Sequence, residues 1–428
     1  MDTKPLALVL FIAAYILLLA LPAKKHFVAA AAAALFIVLG VLPPSEVLAA
    51  VNWNVLMMIA GTMGVVSLFI ESRAPALLGD FIISKTGDIK WVVIWLSVCA
   101  GLISAFVDNV ATVLIIAPIA VNLFKRLKIA ILPEAIICIS LASNLQGAAT
   151  LVGDTTSIML AGALNMNFLD FFVYARKPGM FFVVELSAVT VTFVLYFLLR
   201  KLKAPVEAPD EKETVTDFFP SFLLSALLIL LIIGSFIPEE RKPGALNGII
   251  CLSLLAVGMA REAIAKKGFE NIKDNLLEID INTLTLLTGL FLIVAGVVRA
   301  GVIDDVSALF LKISGSDVFA VYTLIVWFSV FISAFVDNIP YVAAMLPVAA
   351  SLTAALGVKG PLLYFALLSG ATLGGNLTPV GASANITALG ILKKEGVEVS
   401  AKDFFKLSVP FTISAVLTGY VLIWVIWA

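Results

Sequence analysis

Apolar runs separated by short polar stretches fill this chain, and most are long enough to cross a bilayer as helices. In the first half the pattern predicts spans near 5–22, 27–42, 54–72, 135–165 and 178–199. In the second half it predicts spans near 220–237, 245–261, 283–299, 361–392 and 408–427. Between the third and fourth span of each half lies a longer apolar run, 91–123 and 318–356, with a polar pair in its middle. Two full crossings are one reading of each run. A re-entrant hairpin is the better one, because a polar tip at mid-depth is tolerated where protein or a water-filled cavity surrounds it.

The two polar pairs sit in one hexapeptide, Ser-Ala-Phe-Val-Asp-Asn, found at Ser104–Asn109 and again at Ser333–Asn338. Pro118 and Pro347 follow each copy at the same interval. Further matches are Asn54 with Asn282, Gly61 with Gly289, Thr150 with Thr378, and Gly153 with Gly381. The chain therefore reads as a duplication: residues 1–200 and 220–428, joined by a connector at 201–219. Five spans and a hairpin per half are an odd number of crossings, so the second half is expected to enter the membrane inverted.

Composition sharpens this picture. Hydrophobic residues make up 61% of the chain and charged residues 13%, which excludes a large soluble enzyme. Net charge is −1, so nothing supports nucleic-acid binding. A single histidine, His26, argues against a His-based metal centre or a Ser-His-Asp triad, and Cys99, Cys138 and Cys251 read as small buried hydrophobes. No enzyme constellation and no cofactor motif is present. The hairpin reading gathers 20 of the 28 Lys and Arg residues into loops 23–26, 73–90, 124–134, 200–219, 261–281 and 393–407. Those loops should be cytoplasmic, with both termini outside a cytoplasmic membrane.

The fourth span of each half is interrupted. Asn144 to Ser157 contains Gly147, Gly153 and Asp154; Gly374 to Asn385 contains Gly375, Pro379 and Gly381. These residues weaken helix and free backbone groups at half-helix ends, which suit ions. Asp108 and Asp337 are the leading ion-site candidates, because an intramembrane carboxylate binds a cation or holds a proton. Their simpler role is to cap the helices that begin after them, and the two roles are compatible. Asn109 and Asn338 are expected beside them, the four together as a Na⁺ candidate site. Asp154 is read as an ion ligand or a half-helix cap. Asn144, Thr150, Thr155, Thr156, Ser157, Asn376, Thr378, Ser383 and Asn385 are candidate substrate or ion contacts, against ordinary helix–helix hydrogen bonding.

At these residues the chain resembles the ion-transporter superfamily of arsenite efflux pumps, one class of sodium/proton antiporters, the melanosomal P protein, and citrate and dicarboxylate carriers. The likeness is strongest to the P protein and antiporter branch. Asn144, Gly147, Thr150, Gly153 and Asp154 match the first-half pattern; Leu373–Asn376 and Gly381–Asn385 match the second. Gln146 replaces a glycine, and Thr155, Thr156 and Ser157 replace a proline pair and an asparagine. The resemblance implies an all-α polytopic secondary transporter of elevator type, a homodimer, with Na⁺ or H⁺ as coupling ion and a small anion or oxyanion as cargo. Exchange of Na⁺ for H⁺, with the cation as cargo, is the alternative.

Overall fold

The computed structural model describes residues 3–72, 86–126, 132–202, 215, 217–238, 241, 243–265 and 280–428. Most of the connector 201–219 and of the charged stretch 261–281 lies outside the described residues.

The first half folds into α1 (Lys4–Ala20), α2 (Lys25–Val38), α3 (Trp53–Glu71), α4 (Ile89–Ser104), α5 (Asn109–Arg126), α6 (Pro133–Gly147), α7 (Thr155–Leu164) and α8 (Met180–Leu198). The second half gives α9 (Phe219–Ser235), α10 (Leu246–Ala265), α11 (Ile281–Arg299), α12 (Val302–Ser314), α13 (Val318–Ser333), α14 (Asn338–Ala355), α15 (Leu362–Leu368), α16 (Ser383–Lys394) and α17 (Ala401–Trp427). Among the described residues, six helices are long and apolar enough to cross a membrane. The count is seven if α12 and α13, bent by 114° at their break, are one span. Shorter apolar helices, α1, α2, α4, α5, α7 and α9 among them, fill the rest. The protein is a multi-pass helical membrane protein.

Polar residues at the boundaries set where helices start. Asn52 accepts a hydrogen bond from Val55 N at the head of α3, and Asp280 does the same for Thr283 N at α11. Asp88 caps α4 and Asp317 caps α13. Each cap satisfies a backbone N–H that would otherwise be unpaired, which contributes about 1 kcal/mol.

Two pairings between the halves organise one side of the molecule: α3 packs along α10, and α11 along α2. Glycine makes both crossings close. A Cβ on Gly61 would lie 2.4 Å from the carbonyl carbon of Cys251, and one on Gly289 would lie 2.7 Å from that of Ala29. On the other side α4 packs on α6, α8 on α17, and α16 on both α5 and α6.

Two features depart from the sequence reading. Residues 302–314 form a helix that hydropathy misses, since Asp304, Asp305 and Lys312 interrupt the apolar run. Val302, Ile303, Ser307 and Phe310 make its buried face, and left-handed Gly301 and Gly315 bound it. The all-α expectation also meets a small hairpin, β1 (Val173–Tyr174) paired with β2 (Lys177–Pro178). Ala175 and Arg176 take positive φ in its turn, the geometry that suits a two-residue hairpin.

Candidate functional site

Each copy of the hexapeptide builds the same corner. Helix α4 ends at Ser104 and α5 starts at Asn109; α13 ends at Ser333 and α14 starts at Asn338. Asp108 Oδ1 accepts from Val110 N (3.0 Å) and Ala111 N (3.2 Å), and Asp337 Oδ1 accepts from Ile339 N (3.1 Å). Both acids thus cap the second arm of their corner, and each keeps Oδ2 for another partner. For Asp337 that partner is Lys25, whose Nζ lies 2.6 Å away, with Ser383 Oγ at 3.2 Å. Among the described residues Asp108 Oδ2 has no such partner.

The glycine-rich segment of each half is broken as its glycines imply. Helix α6 stops at Gly147 and α7 resumes at Thr155. In the second half α15 runs into a π-helical stretch, Ser369–Leu373, then a single 3₁₀ turn, before α16 begins at Ser383. π-turns of this kind mark places where the regular ladder yields to another need. Each break is stitched to its own corner. Thr150 donates its hydroxyl to Ala105 O and Thr378 donates to Ala334 O. Gly153 and Gly381 lie where no side chain fits: a Cβ on either would come within 2.6 Å of the carbonyl oxygen of Gly147 or Gly375.

The breaks are also tied to each other. Asn144 Nδ2 donates to Thr372 O (2.8 Å) and Asn376 Oδ1 (3.1 Å), and Asn376 Nδ2 donates to Leu141 O (2.8 Å). Asn385 bonds Gly375 O, Thr378 O and Ser140 Oγ. Thr156 Oγ1 donates to Asp154 Oδ2 (2.7 Å) and meets Thr372 Oγ1 at 3.0 Å. Ser157 is fully buried, and its hydroxyl has no partner among the described residues.

One cavity of about 690 Å³ receives both corners and both breaks. Asp108, Asn109, Asp154, Thr155, Asp337, Asn338 and Ser383 line it. The remaining expected contacts, Asn144, Thr150, Thr156, Ser157, Asn376, Thr378 and Asn385, are buried and not in its lining. The starts of four helices, α5, α7, α14 and α16, therefore converge on one space. Lys25, His26, Asp280 and Asn282 also line it and were not foreseen as site residues. Lys25 and Asp280 read as ordinary loop charges in the sequence. The repeat gives one signal for Asp280: it stands as far from Asn52 as Gly289 stands from Gly61. Among the described residues no group of three or more His, Cys, Asp or Glu side chains is disposed to hold a metal ion.

A second cavity, of about 260 Å³, lies elsewhere between the halves. Asn52, Asn54, Asn165 and Asn247 line it, and Asn54 Oδ1 accepts from Gly248 N at 2.8 Å.

Similarity to known proteins agrees with this architecture. The sequence profile of a family described as citrate transporter (CitMHS) matches residues 9–370 and 251–428. An uncharacterized transporter of Mycobacterium tuberculosis is 30% identical over 98% of this chain and 97% of its own length. The human P protein is 26% identical over 86% of this chain, which spans about half (53%) of that protein. Among solved structures, the YdaH transporter of Alcanivorax borkumensis superposes with a TM-score of 0.56 at 15% identity, covering 88% of this chain and 85% of that one. MtrF of Neisseria gonorrhoeae, which illuminates a class of antimetabolite efflux pumps, gives 0.56 at 15%, covering 86% and 80%. With its profile matched from residue 9 to the C-terminal residue, this chain belongs to the citrate transporter family of membrane transporters.

Proposed function

We propose that the protein is a secondary transporter that moves a small anion or oxyanion, coupled to Na⁺ or H⁺, through the cavity between the two Asp-Asn corners. The observation that carries this reading is the convergence of four helix N-termini and Lys25 on a space that also holds four carboxylates, Asp108, Asp154, Asp280 and Asp337. Each N-terminus acts as roughly half a positive charge, so four supply about +2. The ionised acids cancel that field and repel an anion. A cation or proton bound at Asp108 and Asp337 relieves the repulsion, and this links the two ligands energetically.

In this reading the halves 1–200 and 220–428 are inverted repeats. The corners are re-entrant tips within ten spans, and tips and broken helices move together as an elevator against a dimeric scaffold. Loops 23–26 and 261–281, from the Lys- and Arg-rich set, reach the large cavity through Lys25, His26 and Asp280. It therefore opens to the cytoplasm, with both termini outside a cytoplasmic membrane. Citrate and other small carboxylates head the cargo panel, followed by oxyanions.

The test is flux into proteoliposomes holding the full chain. Na⁺- or pH-gradient-driven uptake of a labelled anion supports the proposal; its absence over the whole panel removes it. A second reading, Na⁺/H⁺ exchange, draws on the excess of carboxylates over cations in the cavity. It requires Na⁺-driven change of an internal pH dye with no anion added.

A further inference from the structure

Glu185 lies in the second turn of α8 and belongs to neither cavity described above. It reaches a third space, of about 210 Å³, walled by α4, α6, α8 and Phe411 of α17. Its Oε2 accepts a hydrogen bond from Gln146 Nε2 at 2.8 Å. Its Oε1 is buried and has no hydrogen-bond partner among the described residues. The walls supply no compensating charge: Ser97, Val98 and Leu102 come from α4, Ala142, Leu145 and Gln146 from α6, and no other side chain in the lining is ionisable. The ionisable groups of the packed elements lie elsewhere. The Lys90 ammonium of α4 sits over the rings of Trp91 and Tyr196, and Lys177 of β2 bonds Ile426 O. Glu134 stands in the first turn of α6, and Lys402, Asp403 and Lys406 stand at the head of α17. Cys138 on α6 is buried outside the lining, and Cys99 on α4 is outside it too.

An ionised carboxylate with a single neutral donor is costly inside a membrane protein, and a hydrogen on the unpartnered oxygen removes the cost. Gln146 is placed to report that hydrogen. It lies in the last turn of α6, one residue before Gly147, where the first broken span opens toward Asp154. Gly101 opposite leaves room for its amide, since a Cβ there would fall 1.5 Å from Gln146 Oε1.

We propose that Glu185 and Gln146 form a proton-binding site separate from the large cavity, in which Oε1 takes a proton from water entering the third space and returns it there. Infrared spectroscopy of the full chain in lipid nanodiscs, titrated with acid and base, tests this through the carbonyl stretch of protonated carboxyls. A band that disappears reversibly in base, is lost in Glu185→Gln and survives in Asp108→Asn, Asp154→Asn and Asp337→Asn supports the site. Should Glu185→Gln not fold, Gln146→Gly removes the donor and keeps the acid, and the band should change frequency. A band untouched by Glu185→Gln, unmoved by Gln146→Gly, or protonated at every pH at which the chain stays folded overturns the proposal.

Discussion

The two cavities between the halves are built from corresponding positions, yet one is charged and the other neutral. Asn52 and Asn54 of the smaller cavity stand 228 residues before Asp280 and Asn282 of the larger. Asn247 of the smaller stands 222 residues after Lys25 of the larger, the same interval that separates Ala29 from Cys251 at the two glycine crossings. An Asn-rich site offers neutral hydrogen bonds that tolerate water and either sign of charge. A site with Lys25 and Asp280 selects by charge. Residues at corresponding positions thus give one cavity an electrostatically committed mouth, and the ion pair from Lys25 to Asp337 is its most direct expression.

The largest effect should come from the two corner acids. Asp108→Asn and Asp337→Asn keep the helix cap, because an asparagine oxygen accepts the same backbone N–H. They remove the charge that would hold a cation. Losing a charged contact of up to about 3 kcal/mol corresponds to about 100-fold in ion affinity. Coupled flux in proteoliposomes should fall to background in both, with unchanged detergent-extracted yield. Full flux in both variants breaks the assignment of the corners as ion sites.

Next in size is the charge asymmetry itself. Lys25→Asn makes the large cavity resemble the small one, and Asn247→Lys does the reverse. If the Lys25 ammonium helps to hold an anion, Lys25→Asn should weaken anion-dependent thermal stabilisation by about tenfold in apparent affinity, one charge-assisted hydrogen bond. Asn247→Lys should leave that affinity intact. Equal effects from the two variants would dissolve the distinction between the mouths.

The scaffold crossings should respond alike where the mouths respond differently. Gly61→Ala and Gly289→Ala each force a methyl against partner backbone, at a cost of about 1–3 kcal/mol. Both should lower the melting temperature by similar amounts without altering ion selectivity. A strong effect in only one would show that the two crossings are not equivalent supports.

Much of this was legible because its causes are local. Ser-Ala-Phe-Val-Asp-Asn folds the same corner twice, since the Asp cap and the turn bonds of Phe106 and Phe335 to Ile103 and Ile332 need only neighbouring residues. The glycine-rich breaks fell near Thr155 and Ser383 for the same reason. Lys25 was not legible, and Asp280 was marked only by its spacing from Asn52. Their roles depend on which distant corner they face, and a loop lysine beside His26 carries no mark of an aspartate 312 positions away. Helix α12 was hidden by its charges. Glu185 stands alone in an otherwise apolar run, and an intramembrane acid is itself a signal, but nothing local says which helix it faces.

The smallest expected effect concerns how Asp154 is held. Its counterpart 228 residues later is Ala382, and the counterpart of Thr156 is the buried Ala384. The second break therefore has neither the acid nor the hydroxyl that fastens it. Thr156→Ala gives the first break the second one's residue at that position, removing the 2.7 Å bond to Asp154 Oδ2 and the contact with Thr372 Oγ1. One such bond contributes about 1 kcal/mol, or about fivefold in apparent ion affinity. Asp154 still stands at the N-cap position of α7, so its charge stays near the cavity while its second oxygen is released. If Thr156→Ala instead abolishes flux as fully as Asp154→Asn, the hydroxyl is itself an ion ligand. The acidic break then differs from its neutral counterpart by a two-residue site and not by a lone carboxylate.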